Sequence, residues 1–179
     1  SCMAACAVNA LAEAGVLEKH HVIHGQNYGP EARGGTSVSE VIFSDAEIDY
    51  PKTLGLDILL ALSQEACSES LPHMKPGGLV IVDSDLVGKV FWGKLVRVPF
   101  SRRAREHFND QKVANMLALG TLVPFCPWVS SRSVRKAVSN RTPPEIIQLN
   151  LSAFQEGLKL ARRLKKSLKF HEVEGAIEV

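Results

Sequence analysis

Two short apolar runs constrain this chain most: residues 56–62, Leu-Asp-Ile-Leu-Leu-Ala-Leu, and residues 79–82, Leu-Val-Ile-Val. Each has the length and near-continuous apolar character of a strand buried on both faces. Between them Ser63-Gln64-Glu65 opens a helical stretch reaching Met74, with Ser63 as its cap. Lys75-Pro76-Gly77-Gly78 then reads as a turn. Strand, helix, turn and strand make a βαβ unit with a right-handed crossover. That unit sets Ser63, Gln64 and Glu65 beside Asp83-Ser84-Asp85 at the carboxyl edge of the sheet, where open α/β sheets bind ligands. An acid at such a strand end either holds a ribose or caps a turn, and the cap is the reading adopted for Asp83.

The flanking segments fit around this unit. Residues 1–16 are Ala-rich and read as a buried helix closed by Gly15. Residues 20–26 and 37–44 read as strands, too close in sequence for a helical crossover and therefore antiparallel. Asp45-Ala46-Glu47 is a turn, and Ile48-Asp49-Tyr50-Pro51 is extended. Residues 95–98 give a further strand, and Ser101 caps a helix carrying Arg102, Arg103 and Arg105. Cations in a first turn oppose the helix dipole, so these arginines either meet an external anion or form a solvated face. Residues 110–124 are apolar all round, a buried helix in which Gly120 permits close packing and Pro124 and Pro127 end the run. A short basic helix over 130–139 precedes the longest one, 144–168, with Ile147, Leu151, Phe154, Leu158, Ala161 and Leu164 on one stripe. Arg162, Arg163, Lys165, Lys166 and Lys169 fall in its last turns, and residues 169–179 form a tail. The expected architecture is α/β, a three-layer α/β/α sandwich on a mixed, mostly parallel sheet, in one domain spanning 1–179.

Chemistry concentrates in Tyr28-Gly29-Pro30-Glu31-Ala32-Arg33-Gly34-Gly35, between the first two strands. Gly29-Pro30 opens a turn, and glycine permits close approach of another backbone or a ligand. Glu31 and Arg33 sit on a stiffened loop beside the N–H groups of Gly34 and Gly35, an arrangement suited to an anion or to a partner carrying one. The same residues also suit a plain strand connector with a solubilising ion pair.

Composition narrows the class. A net charge of +2 gives no basic surplus for nucleic acid. No apolar run reaches the roughly 18 residues of a membrane span, and no secretory signal opens the sequence. The four cysteines, Cys2, Cys6, Cys67 and Cys126, form no Cys-x-x-Cys pair. They read as reduced core thiols of a cytoplasmic protein, not as iron–sulfur or zinc ligands. His20 and His24 are read as hydrogen-bonded or exposed histidines, since a metal needs a third ligand from elsewhere.

The string Gln26-Asn27-Tyr28-Gly29-Pro30-Glu31-Ala32-Arg33-Gly34-Gly35 resembles the gamma subunit of 2-oxoacid:ferredoxin oxidoreductases, most of all the 2-oxoglutarate type. Ser39-Glu40-Val41-Ile42, Ile48-Asp49-Tyr50-Pro51, Ala61-Leu62-Ser63-Gln64-Glu65, the run from Lys75 to Ser84, Val113 to Gly120 and Asn150 to Phe154 follow in the family's order. The resemblance implies an α/β subunit, inactive alone, in a complex of alpha, beta and delta-type partners. That complex oxidatively decarboxylates a 2-oxoacid on thiamine diphosphate with Mg, makes an acyl-CoA, and passes electrons through iron–sulfur clusters to ferredoxin. It also implies that these cofactors are held mainly by the other subunits. Tyr28, Gly29, Glu31, Arg33, Gly34, Gly35, Ser63, Gln64 and Glu65 are then expected at an interface near substrate or CoA. The family's opening strand and Gly-x-Gly-Gly-Gln-Gly turn are expected ahead of Ser1 or lost from the sheet. A free-standing nucleotide-binding module using Asp83, a purely structural scaffold subunit, and a homodimer of the isolated chain remain as other readings.

Overall fold

The structure, a computed structural model, describes residues 2–28, 37–49 and 55–174. The predicted βαβ unit is present. Strand β3 (Leu56–Ala61) lies parallel to β4 (Met74–Asp83), with helix α2 (Gln64–Ser70) between them in sequence. Strand β5 (Lys94–Val98) joins the other side of β4, also parallel, giving the order β3-β4-β5. Strands β1 (His21–Tyr28) and β2 (Ser37–Ser44) pair antiparallel, as expected. Among the described residues they form a sheet of their own instead of joining the parallel strands in one mixed sheet. Helices α1 (Cys2–Leu17), α3 (Phe100–Phe108), α4 (Ala114–Leu122), α5 (Ser131–Arg141) and α6 (Ile147–Glu174) complete the α/β architecture.

Alternation along β4 divides the interior in two. Ile81 points to the large core, with Val96, Val98, Phe100, Leu117, Val134 and Phe154. Val80 and Val82 point to a smaller cluster with Leu59, Ala61, Cys67 and Met74. Successive residues of a strand face opposite sides, so burial on both faces needs an apolar residue at every position.

The close approach expected at Gly120 is real and reciprocal. A Cβ on Gly120 would stand 2.1 Å from the carbonyl oxygen of Phe154, and one on Gly157 would stand 2.1 Å from that of Leu117. Thr121 fastens the crossing by donating its hydroxyl to Leu117 O at 2.9 Å and Gly157 O at 3.3 Å.

Several boundaries differ from the sequence reading. Gly15 does not close α1; the left-handed residue is Lys19, at φ 66°. Gly15 is bare because Phe43 and Val22 press against it, 2.5 and 2.8 Å from where a Cβ would sit. The segment after Ser70 is a 3₁₀ turn over Leu71–His73 with Pro72 inside it, so Met74 begins β4 and does not end α2. Lys75 to Gly78 lies within β4 as a register shift opposite Leu56 and Ile58, with Gly77 at φ 78°. That positive φ is the bulge geometry glycine supplies. Helix α6 continues to Glu174, so Arg162 to Lys166 are not its last turn, and residues 169–174 are helical instead of tail.

Two carboxylates bind α1 to α5. Glu13 accepts from Asn140 and Arg141 at the end of α5, and Glu18 accepts from the N–H of Ser130 at its start. Hydrogen bonds from Asn140 and then Arg141 hold Glu13 below its ordinary range, and those from Ser130 and Ser133 do the same for Glu18. A carboxyl whose folded pKa is depressed stabilises the fold above its unfolded pKa, here about 4.5. That stability is lost as pH falls through the folded values. Melting between about pH 6 and about pH 4 should therefore fall more steeply for the wild-type chain than for a Glu13→Gln, Glu18→Gln double variant. Parallel pH profiles would rule the clamp out.

Candidate functional site

The hairpin brings the predicted loop to one place. Its register runs without a break from His21↔Ser44 to Tyr28↔Ser37, so residues 29–36 leave and re-enter on paired backbones. Gly29, Glu31, Arg33, Gly34 and Gly35 lie outside the described residues, as do Tyr50 and Pro51. The base of the ribbon is anchored on the helices. Phe43 stacks on Trp128 with centroids 6.3 Å apart and planes 11° from parallel. His20 meets the same indole edge-on at 5.2 Å and pairs through Nδ1 with Asp45 at 3.1 Å. Aromatic pairs in these offset and edge geometries add to the area they bury. His20 is thus a structural contact. His24 has a buried Nε2 without a hydrogen-bond partner among the described residues. No group of three or more His, Cys, Asp or Glu among the described residues is placed to hold a metal ion.

At the carboxyl edge, the side chains proposed from sequence take structural roles. Ser63 caps α2 as expected, its hydroxyl accepting from the N–H of Ala66 at 3.2 Å. Gln64 reaches past Asp83 to the chain beyond. Its Oε1 accepts from the N–H groups of Gly88 and Lys89 at 3.0 and 2.9 Å, and its Nε2 donates to Lys89 O at 2.9 Å. Glu65 is exposed. Asp83 is fully buried, one oxygen accepting from the N–H of Asp85 and the other from both the N–H and the hydroxyl of Ser101. Both oxygens are committed to the protein, which leaves none for a ribose and supports the cap reading. The cap is in trans: Ser101 lies inside α3, Pro99 holds the cap position, and the carboxylate comes from β4. Among the three arginines of α3, Arg102 pairs with Asp85 at 3.3 Å.

Sequence reasoning missed the grip of Gln64 on residues 88–89. The signal available was the alternation Val87, Val90 and Trp92, which marks a chain lying on an apolar surface. The described cysteines do not fit an iron–sulfur cluster, which needs several thiolates together. Cys67 and Cys126 sit in separate parts of the interior, and desolvation raises both thiols above their ordinary value. The side chains of Cys2 and Cys6 lie outside the description. A cleft of about 260 Å3 between α4, α5 and α6 is lined by Val123, Cys126, Leu158 and a single cation, Arg162. No helix among the described residues is long and apolar enough to cross a membrane.

Comparison with known proteins places these features. The family model for pyruvate ferredoxin/flavodoxin oxidoreductase matches residues 4–160. A 2-oxoglutarate synthase subunit, KorC of Methanocaldococcus jannaschii, is 39% identical over 155 residues, covering 84% of this chain and 83% of the relative. The crystal structure of the keto/oxoacid ferredoxin oxidoreductase gamma subunit from Geobacter sulfurreducens superposes with a TM-score of 0.77 at 39% identity, over 88% of this chain and 90% of that one. The 2-oxoglutarate:ferredoxin oxidoreductase of Magnetococcus marinus, solved with 2-oxoglutarate, coenzyme A and succinyl-CoA, shares the fold at 23% identity and a TM-score of 0.72. There the match covers 90% of this chain but 28% of that one. With the α/β core, the family's segments in order and end-to-end likeness to KorC in agreement, the chain belongs to the pyruvate ferredoxin/flavodoxin oxidoreductase family.

Proposed function

We propose that this chain is the gamma-type subunit of a 2-oxoglutarate:ferredoxin oxidoreductase. The observation that carries the reading is the near-complete correspondence with KorC, a 2-oxoglutarate synthase subunit, over more than four-fifths of both chains. In this reading the complex joins decarboxylation of the 2-oxoacid, acyl transfer to CoA and reduction of ferredoxin, and it works in the cytoplasm. Thiamine diphosphate with Mg and the iron–sulfur clusters supply the carbanion and electron chemistry from the alpha, beta and delta-type partners. This chain's share is positioning. The anchored β1–β2 ribbon holds both ends of the loop, which supports a role for Arg33 as a fixed cation for a substrate carboxylate or CoA phosphate, oriented by Glu31. Tyr28, Gly29, Gly34 and Gly35 would let that surface approach its neighbour. Ser63, Gln64 and Glu65 belong to the same interface through the segment that Gln64 grips.

The reading is tested by co-expressing the chain with its partner subunits and assaying the purified complex with CoA and a ferredoxin substitute. Turnover should be highest with 2-oxoglutarate among 2-oxoglutarate, pyruvate, branched-chain 2-oxoacids and indolepyruvate. A chain that never joins a thiamine diphosphate-binding partner refutes it. Arg33→Ala should lower kcat/KM of the assembled complex by roughly tenfold to a hundredfold, the weight of one charge-assisted hydrogen bond. Unchanged kinetics would leave only the scaffold role.

A further inference from the structure

The two faces of the parallel sheet are covered unequally. Helices α1, α3, α4, α5 and α6 contribute to the core on one face. The other carries α2 and residues 84–93, which connect β4 to β5 without a helix. This strap buries Val87 and Val90 against Val80, Val82 and Leu59, and three side chains fix its path. Gln64 holds the backbone of Gly88 and Lys89. Arg97 donates to Val87 O at 2.6 Å, and the Trp92 indole N–H donates to Gly78 O at 2.7 Å. From this pinned backbone Leu86 projects 46% exposed and Phe91 92% exposed.

A lone exposed leucine needs no explanation, but a phenyl ring presented on a strap tied at three points is different. Docking on it orders little that is not already ordered, and aromatic anchors in a preorganised setting carry much of an interface's energy. The charge around it specifies the partner. Lys89, Lys94 and Arg97 are exposed between residues 84 and 97, where the one acid, Asp85, is engaged by Arg102. A second copy docking symmetrically through this strap would bring like charges together, which disfavours it. The same fold also recurs in a solved chain of which it makes up only a part.

We propose that residues 84–93, with Phe91 as anchor, are the docking surface for another subunit of the same oxidoreductase, one that offers an apolar socket edged by carboxylates. The proposal rests on the gamma-subunit reading. It supplies what the thin face lacks: a partner layer over the strap.

The test uses full-length Phe91→Ser and Lys89→Glu chains, each co-expressed with the remaining subunits. Phe91→Ser should leave the melting temperature of the isolated chain unchanged and weaken its association with those subunits about tenfold to a hundredfold. Lys89→Glu should slow association at low salt, with the deficit shrinking as salt rises. If the wild-type chain assembles and Phe91→Ser assembles with equal affinity, the docking surface is wrong while the gamma reading stands. If the isolated wild-type chain dimerises and Phe91→Ser abolishes the dimer, the occupant is a second copy and the proposal falls. A wild-type chain that joins no partner overturns the gamma reading, and this proposal with it.

Discussion

Replacing Gly157 with alanine is expected to destabilise the chain by about 2 kcal/mol, although alanine is the better helix former. The intrinsic gain is about 1 kcal/mol for a helix interior. Against it stands a methyl group 2.1 Å from Leu117 O, 2.8 Å from Thr121 N and 2.9 Å from the Cα of Gly120. All three neighbours are backbone, so no rotamer change relieves the clash. The helices must separate, and overpacking of that kind costs about 3 kcal/mol. The difference favours the clash. A chain of this size loses about 2–4 °C of melting temperature per kcal/mol, so the expected fall is about 4–8 °C by calorimetry. The same substitution at Gly25, where a Cβ meets nothing within 4 Å, is the control. A Gly157→Ala melting temperature at or above wild type would show that α4 and α6 do not cross this closely.

Asp83→Ala should cost about 3 kcal/mol, because it leaves two buried backbone N–H groups and one hydroxyl without their acceptor. The hydroxyl of Ser101 donates to the carboxylate at 2.7 Å, and the N–H groups of Ser101 and Asp85 do so at 2.9 Å. The negative charge also lies at the first turn of α3, where the helix dipole favours it. Loss of this contact frees the start of α3 from the end of β4, so hydrogen exchange at Ser101 should accelerate along with the drop in urea midpoint. Asp83→Asn retains one acceptor oxygen and should lose less. An unchanged midpoint for Asp83→Ala would mean that α3 is held by its apolar contacts alone, through Phe100 and Ala104.

Much of this was legible before any coordinates. Local signals were strong where each residue's own preference agreed with its neighbours. The Leu-Val-Ile-Val run, the Ser63 cap, the buried helix around Gly120 and the antiparallel first strands all appeared as read. Errors clustered where a residue's role is set by a distant segment. Gly15 reads as a helix terminator, yet its hydrogen is required by Phe43 from another element. Lys75-Pro76-Gly77-Gly78 reads as a free turn, yet β3 pairs with the strand on either side of it. Ser101 reads as a cap and is instead the group being capped. Within the candidate site, the family resemblance marked the hairpin loop, but no periodicity marked Phe91, since exposure depends on what does not cover a residue.

Sequence by itself determined the secondary elements, the βαβ unit and the family, because these depend on short-range spacing and on segments repeated in a known order. Only the tertiary structure decided how Asp83, Gln64 and the two facing glycines are used, and that Phe91 stands uncovered. Each depends on atoms far apart along the chain that meet only after folding, and a hydrogen bond or a backbone crossing leaves no periodic trace in the residues that make it.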